Sequence, residues 1–245
     1  MSSHSLNRTA LALVLVTTVG TSFSTVGAQR GAPAPATPAA AAPPETMPAL
    51  LFSERWKQVD AAVAVPSSPR RSTGKYWLAS QLAVTNPNVE AKFYGSDAKN
   101  LTVYLHEGRY DIWSGLTGSP TGVLLKHKTN LMDLTGLARV RALVRTGNLH
   151  QLHPAVRLAD GTLVAGSQVI DTDGQFLQVD VAFGNQRWFI LESDSLAVKG
   201  APMNKVDLAK VDEVGFVDLA PGGGHGSSGW YNISWVDVYA RGVPR

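Results

Sequence analysis

Arg139, Arg141 and Arg145 recur at even spacing within the run Leu137–Thr146, and on an extended chain even spacing places side chains on one face. Ala138, Val140, Ala142 and Val144 take the other face, with Leu143 among the arginines. The pattern predicts a strand with an apolar underside and an arginine-bearing top. The next run behaves alike: Pro154, Val156 and Leu158 point one way, and His153, Ala155 and Arg157 the other. In Phe176–Phe183, Leu177, Val179, Val181 and Phe183 face inward while Gln178 and Asp180 face out. If these strands neighbour one another, one sheet carries a polar stripe of Arg139, Arg141, Arg145, His153, Arg157, Gln178 and Asp180. Guanidinium forks beside a carboxylate suit the vicinal hydroxyls of a sugar, or a ligand carboxylate or phosphate. The competing reading is a solvated sheet face laced with cross-strand ion pairs.

A second constellation is the glycine-rich loop Pro221–Gly229, which contains His225 and runs into Trp230 and Tyr231. Glycines let backbone approach a ligand closely, His225 offers hydrogen bonds, and the aromatics offer a stacking platform. The loop equally fits a plain connection between two strands. It lacks the Gly-Lys-Ser/Thr ending of a phosphate loop. Trp113 in Tyr110–Gly115 is a third candidate for stacking, with a core position as the alternative.

Other chemistries find less support. His150 and His153 have ligand-like spacing, yet on a strand they face opposite ways and no third ligand lies close by. Asp171-Thr172-Asp173-Gly174 opens like a calcium loop without the closing glutamate, and reads better as a tight turn. No metal site is expected, and no cofactor. No Gly-x-Ser-x-Gly elbow marks a serine nucleophile. A glycosidase pair needs two opposed carboxylates, and nothing in the spacing of Glu107, Asp111, Asp160, Asp180 and Asp237 selects two.

These side chains sit on a chain that reads almost wholly as strand from Leu50 onward. Strands are predicted at Tyr76–Val84, Leu101–Glu107, Val123–Thr129, Leu137–Thr146, His153–Leu158, Phe176–Phe183, Arg187–Leu191, Val211–Leu219 and Trp230–Ala240. Each is rich in β-branched and aromatic residues and bounded by Gly, Pro, Asn or Asp. Asp160-Gly161, Asp173-Gly174 and Gly184-Asn185 are tight-turn dipeptides. One or two short helices are expected, around Leu51–Val59 and Asp207–Lys210. The class is therefore all-β: an antiparallel β-sandwich or jelly roll.

The N-terminal residues form an address. Arg8 precedes an apolar run from Ala10 to about Val19, and Val26-Gly27-Ala28 presents small residues for cleavage, so residues 1–28 read as a signal peptide. Residues 29–48, rich in alanine and proline, read as a semi-stiff linker. Residues 49–245 then form the sandwich domain, which is expected to be secreted or periplasmic. No second apolar run approaches the ~20 residues of a membrane span. The chain has no cysteine, which removes disulfides, thiolate metal sites and cysteine nucleophiles, so the core must hold the domain. Arg8 is the one charged side chain of the leader, and the remainder carries 21 basic against 19 acidic residues. That near-balance gives no argument for nucleic acid as a partner.

Asp133-Leu134-Thr135-Gly136-Leu137, then Val206–Phe216 with its Asp-Leu-Ala-Lys-Val and Val-Gly-Phe segments, then Trp230–Tyr239, resembles the galactose-binding-domain-like superfamily of jelly rolls, in its carbohydrate-binding-module form. The resemblance covers residues 131–241 and implies a non-catalytic domain whose partner is a glycan or oligosaccharide. Leu51-Phe52 followed by Trp56 more faintly resembles the opening of 3-keto-disaccharide hydrolase-like domains, which would imply an enzyme acting on oxidised glycosides. An envelope protein-interaction module is the third reading. Oligomeric state and ligand identity are left open.

Overall fold

A computed structural model of the chain describes residues 45–57, 64–65, 76–81, 84–220 and 229–245. The predicted signal peptide, most of the linker, and His225 with its loop lie outside the described residues. In chain order the strands are β1 (Leu50–Glu54), β2 (Ala64–Val65), β3 (Tyr76–Leu78), β4 (Val89–Tyr94), β5 (Thr102–His106) and β6 (Arg109–Trp113). They continue as β7 (Thr121–His127), β8 (Asn130–Asp133), β9 (Arg139–Gly147), β10 (Leu152–Leu158), β11 (Leu163–Gly166) and β12 (Leu177–Ala182). The last are β13 (Trp188–Leu191), β14 (Val198–Met203), β15 (Val211–Asp218), β16 (Trp230–Tyr239) and β17 (Arg241–Pro244).

The strands form two antiparallel sheets stacked as a sandwich. The front sheet runs β12-β9-β16-β6-β5-β3-β2, and β1 pairs with the far end of β16. The back sheet runs β14-β13-β11-β10-β15-β7-β4, with β8 bonded to β15 and β17 to β8. Between them lie Val140, Val144, Tyr231, Ile233 and Val236 from the front, and Val123, Val156, Val214 and Phe216 from the back, none more than 3% exposed. Each such aliphatic contributes about 1.5–3 kcal/mol on burial, and this core takes the place of disulfides. A hydrogen bond between Tyr231 Oη and Thr121 Oγ1, at 3.0 Å, ties the two sheets together inside it.

Among the described residues, helix is confined to two single 3-10 turns, Ala79–Gln81 and Ala98–Asn100, and neither falls where a helix was expected. Leu50–Glu54 is strand because Phe52 and Glu54 alternate inward and pair along β16. Asp207–Lys210 is a turn in which the Asp207 carboxylate accepts the Ala209 N–H at 3.0 Å.

β9 and β10 follow one another in sequence but belong to different sheets. β12 pairs with β9, β10 pairs with β11 and β15, and the expected single stripe is thereby divided. Arg139, Arg141, Arg145, Gln178 and Asp180 stand on the outer face of the front sheet, while His153 and Arg157 stand on the outer face of the back sheet.

The back sheet's outer face is partly covered. The turn after β13 folds across it: the Gly95 N–H donates to Ser193 O at 3.2 Å. Leu196 is buried there against Leu124, Ala155, Leu163, Ala165 and Val217. The front sheet's outer face carries half-buried aromatic and charged side chains instead.

Candidate functional site

The front face depends on an irregularity in β16. Tyr231 and Ile233 point into the core, and beyond them Val236 and Val238 do. The parity changes because Ile233 opposes Val144 and Trp235 opposes Leu143, which leaves Ser234 as an extra residue. Trp230 and Asn232 before this bulge, and Trp235, Asp237 and Tyr239 after it, therefore share the outer face. In a regular strand, Trp230 and Trp235 would face opposite ways.

The bulge is braced by the end of β1. Trp56, buried and held at φ 42°, donates its indole Nε1–H to Ile233 O at 3.0 Å. Its own N–H donates to Glu54 Oε1 at 3.0 Å. Glu54, wholly buried, also accepts the N–H groups of Arg55, Thr85 and Asn86 and the Thr85 hydroxyl. With so many donors, a carboxylate can be buried without being left unsatisfied. The arrangement directs Arg55 over Trp235, with Cζ 4.7 Å from the ring centroid and Nη1 2.8 Å from Asp237 Oδ1.

β9 supplies the central row. Arg141 lies between Asp237 of β16 and Asp180 of β12 in register. Its Nε donates to Asp180 Oδ2 at 2.8 Å, and its Cζ stands 5.1 Å from the Tyr239 ring centroid. Arg139 Nη1 reaches the same Asp180 oxygen at 3.5 Å. One turn carries the far end of the row. Thr146 N–H donates to Thr172 Oγ1 at 2.8 Å, Thr172 N–H donates to Thr146 Oγ1 at 2.9 Å, and Gly174 N–H donates to Thr146 O at 2.8 Å. This docks Asp171–Gln175 onto β9 and brings Gly174 O and Phe176 to Arg145. Arg145 Nε donates to Gly174 O at 2.7 Å, and its Cζ lies 4.6 Å from the Trp230 centroid and 5.5 Å from that of Phe176. Arg109 comes from the other side, with Cζ 4.4 Å from the Phe176 centroid and Nε 3.6 Å from the buried Asp111. A cavity of about 510 Å³ opens here, lined by Glu107, Arg109, Leu143, Arg145, Gln175 and Phe176.

The structure thus gathers Arg139, Arg141, Arg145, Asp180 and Trp230 on one face. Trp113 shares that face but only 5% of it is exposed, and a Cβ on Gly115 would collide with its ring, so it is a floor rather than an open platform. His153 and Arg157 are separated from the site by the sandwich. His153 Nδ1 lies 3.3 Å from Gly166 O. Arg157 Nη1 donates to Tyr94 Oη at 3.0 Å, and Tyr94 in turn donates to Glu213 at 2.5 Å. Burial pushes the Glu213 carboxyl up, and burial with the Glu213 bond pushes the Tyr94 phenol up as well. His150 is buried against Asp218 through Nδ1. The Asp171 turn is closed by the Asp173 N–H, and that bond holds the Asp171 carboxyl below its usual range.

Sequence reasoning missed Arg55, Arg109, Phe176, Trp235, Asp237 and Tyr239 as members of the face. The two indoles of one strand, five apart with a small polar residue between them, were the signal that a bulge could have explained.

The fold is an antiparallel β-sandwich, and the solved structures similar to it include family 11 carbohydrate-binding modules. One is the family 11 module of a cellulosomal cellulase of Clostridium thermocellum, with TM-score 0.37, 8% identity, and coverage of 75% of this chain and 97% of that one. Another is the family 11 module from Clostridium thermocellum in complex with a β-1,3-1,4-mixed-linked tetrasaccharide, with TM-score 0.37, 9% identity, and coverage of 79% and 98%. An exo-β-agarase is similar over 66% of this chain and 23% of its own, with TM-score 0.35 and 11% identity. No family model matches the chain, and no curated protein matches it. Among the described residues, no helix is long and apolar enough to cross a membrane.

Proposed function

We propose that the chain is a non-catalytic carbohydrate-binding domain whose ligand lies along the outer face of the front sheet. The observation that supports this reading is the alternation of rings and guanidinium groups on one rigid surface: Trp235 with Arg55, Tyr239 with Arg141, and Trp230 and Phe176 with Arg145. A sugar ring presents an apolar C–H face and an equatorial belt of hydroxyls. Aromatic faces suit the first, and forked donors beside carboxylates suit the second. The side chains are held by one another and by the sheet before any ligand arrives, so little ordering entropy is lost on binding.

The turn carrying Leu196 covers part of the back sheet, and the cavity of about 510 Å³ beside it sets one ring, Tyr94, against one guanidinium, Arg157, which is already bonded to the Tyr94 hydroxyl. Arg157 and His153 are accordingly assigned to structure rather than to ligand. Residues 1–28 are proposed as an export leader and 29–48 as a tether that presents the domain outside the cytoplasm. The test is a glycan-array screen of the purified chain with Arg141→Ala and Trp230→Ala alongside. Binding by the wild type that either variant loses supports the reading. Absence of binding to any glycan contradicts it and favours an envelope interaction module.

A further inference from the structure

We propose that the cavity beside Arg145 is a subsite for an acidic sugar, whose carboxylate or sulfate ester pairs with the Arg145 fork. The inference rests on the carbohydrate reading of the front face and narrows its ligand class. On that face, four arginines each have a carboxylate partner. Arg55 lies 2.8 Å from Asp237, Arg109 3.6 Å from Asp111, and Arg139 and Arg141 lie 3.5 and 2.8 Å from Asp180. Arg145 has no carboxylate partner among the described residues.

Its contacts hold the group without neutralising it. Nε donates to Gly174 O, and Cζ stands over the rings of Trp230 and Phe176. These contacts leave the Nη1 and Nη2 edge to a ligand. Glu107, the acid in the cavity lining, has a side chain 73% exposed and stands 3.9 Å from Arg109, so solvent screens it. Partial burial between two rings lowers the local dielectric around Arg145, which strengthens any ionic hydrogen bond formed there. Two parallel N–H donors match the two oxygens of a carboxylate or sulfate, a fit that a single hydroxyl does not reproduce.

The test uses an array of matched pairs: uronate oligosaccharides beside their methyl esters, and sulfated galactans beside the desulfated chains. Titration of the pair that is bound then measures the preference. The acidic member is expected to bind at least tenfold more tightly, with the preference shrinking as salt rises, and the uronate and sulfate arms show which group is read. Arg145→Gln should abolish the preference and Arg145→Lys should retain part of it, with a thermal melt confirming that each variant is folded. Equal or tighter wild-type binding of the neutral members overturns this inference and leaves the carbohydrate reading standing. Failure to bind any member overturns this inference alone, and the broad glycan screen then decides the carbohydrate reading. The wild-type comparison decides even where a variant does not fold.

Discussion

Trp230 and Trp235 stand on the same outer face of the front sheet although five residues separate them, because Ser234 is a bulge between Ile233 and Trp235. The Ser234 hydroxyl is buried and has no hydrogen-bond partner among the described residues. Ser234→Ala should therefore be neutral or stabilise by up to about 1 kcal/mol, since an unsatisfied polar group is removed. Deleting Ser234 should abolish ligand binding, because regular alternation cannot keep both indoles outside and Val236 and Val238 inside. Thermal melts and ligand titration of the two variants check this. A loss of stability above 1 kcal/mol in Ser234→Ala would assign the hydroxyl a bond.

Trp56 closes the bulge through its bond to Ile233 O. Trp56→Phe fills most of the same volume but leaves that buried carbonyl without its donor, at a cost of about 1–3 kcal/mol. For a domain of this size that amounts to a fall of several degrees in Tm. Binding should weaken as well, through loss of the Trp235 position, and calorimetry on the folded variant measures it. An unchanged Tm would mean that the bulge needs no brace.

Glu54 gathers donors from Arg55 and Trp56, just past β1, and from Thr85 and Asn86. Glu54→Ala strands several buried N–H groups and should cost about 3–5 kcal/mol in denaturant unfolding. Glu54→Gln keeps one acceptor oxygen and should cost clearly less. Equal costs for the two would contradict the assignment.

The back sheet supplies a pH prediction. Burial raises the folded-state Glu213 carboxyl above its usual range, outweighing Tyr94, Arg157 and Lys126, which lower it. A raised acid contributes stability that is fully present below its unfolded pKa and lost as pH rises through the folded one. Glu213→Gln removes that loss while still accepting the Tyr94 bond, so it should raise Tm more at pH 8 than at pH 4. Asp133 moves the other way: burial raises it, but hydrogen bonds from Thr135 and Arg241 outweigh burial and hold it low. Its contribution is present above the unfolded pKa and lost on acidification, so Asp133→Asn should destabilise at pH 7 and matter little near pH 3. Melts across the pH range check both signs.

The alternation in β9 was legible because one face is apolar at every second position, and the structure keeps Val140, Ala142 and Val144 inside. The turn at Asp171–Gly174 was legible from its dipeptide chemistry. Which sheet each strand joins was not, because β9 and β10 carry the same inward-outward signal and antiparallel partners are chosen by long-range pairing. β2, β4, β6, β8, β11, β14 and β17 escaped the reading for another reason. None is longer than six residues, and β14 presents Val198, Lys199, Gly200, Ala201 and Pro202 to solvent, so burial leaves no period there. Arg55 and Phe176 joined the site through loops whose docking depends on Glu54 and Thr146, contacts that lie 31 and 26 residues away in sequence.

The division of the arginines between two faces gives the most direct test of the central claim. Titration calorimetry with the glycan selected on the array would compare the wild type with Trp235→Ala and Arg141→Ala on the front face and Arg157→Ala on the back. A loss of tenfold or more, about 1.4 kcal/mol, is expected for each front-face variant, with wild-type affinity for Arg157→Ala. Loss in Arg157→Ala with the front-face variants unaffected would place the ligand on the opposite sheet and contradict the account.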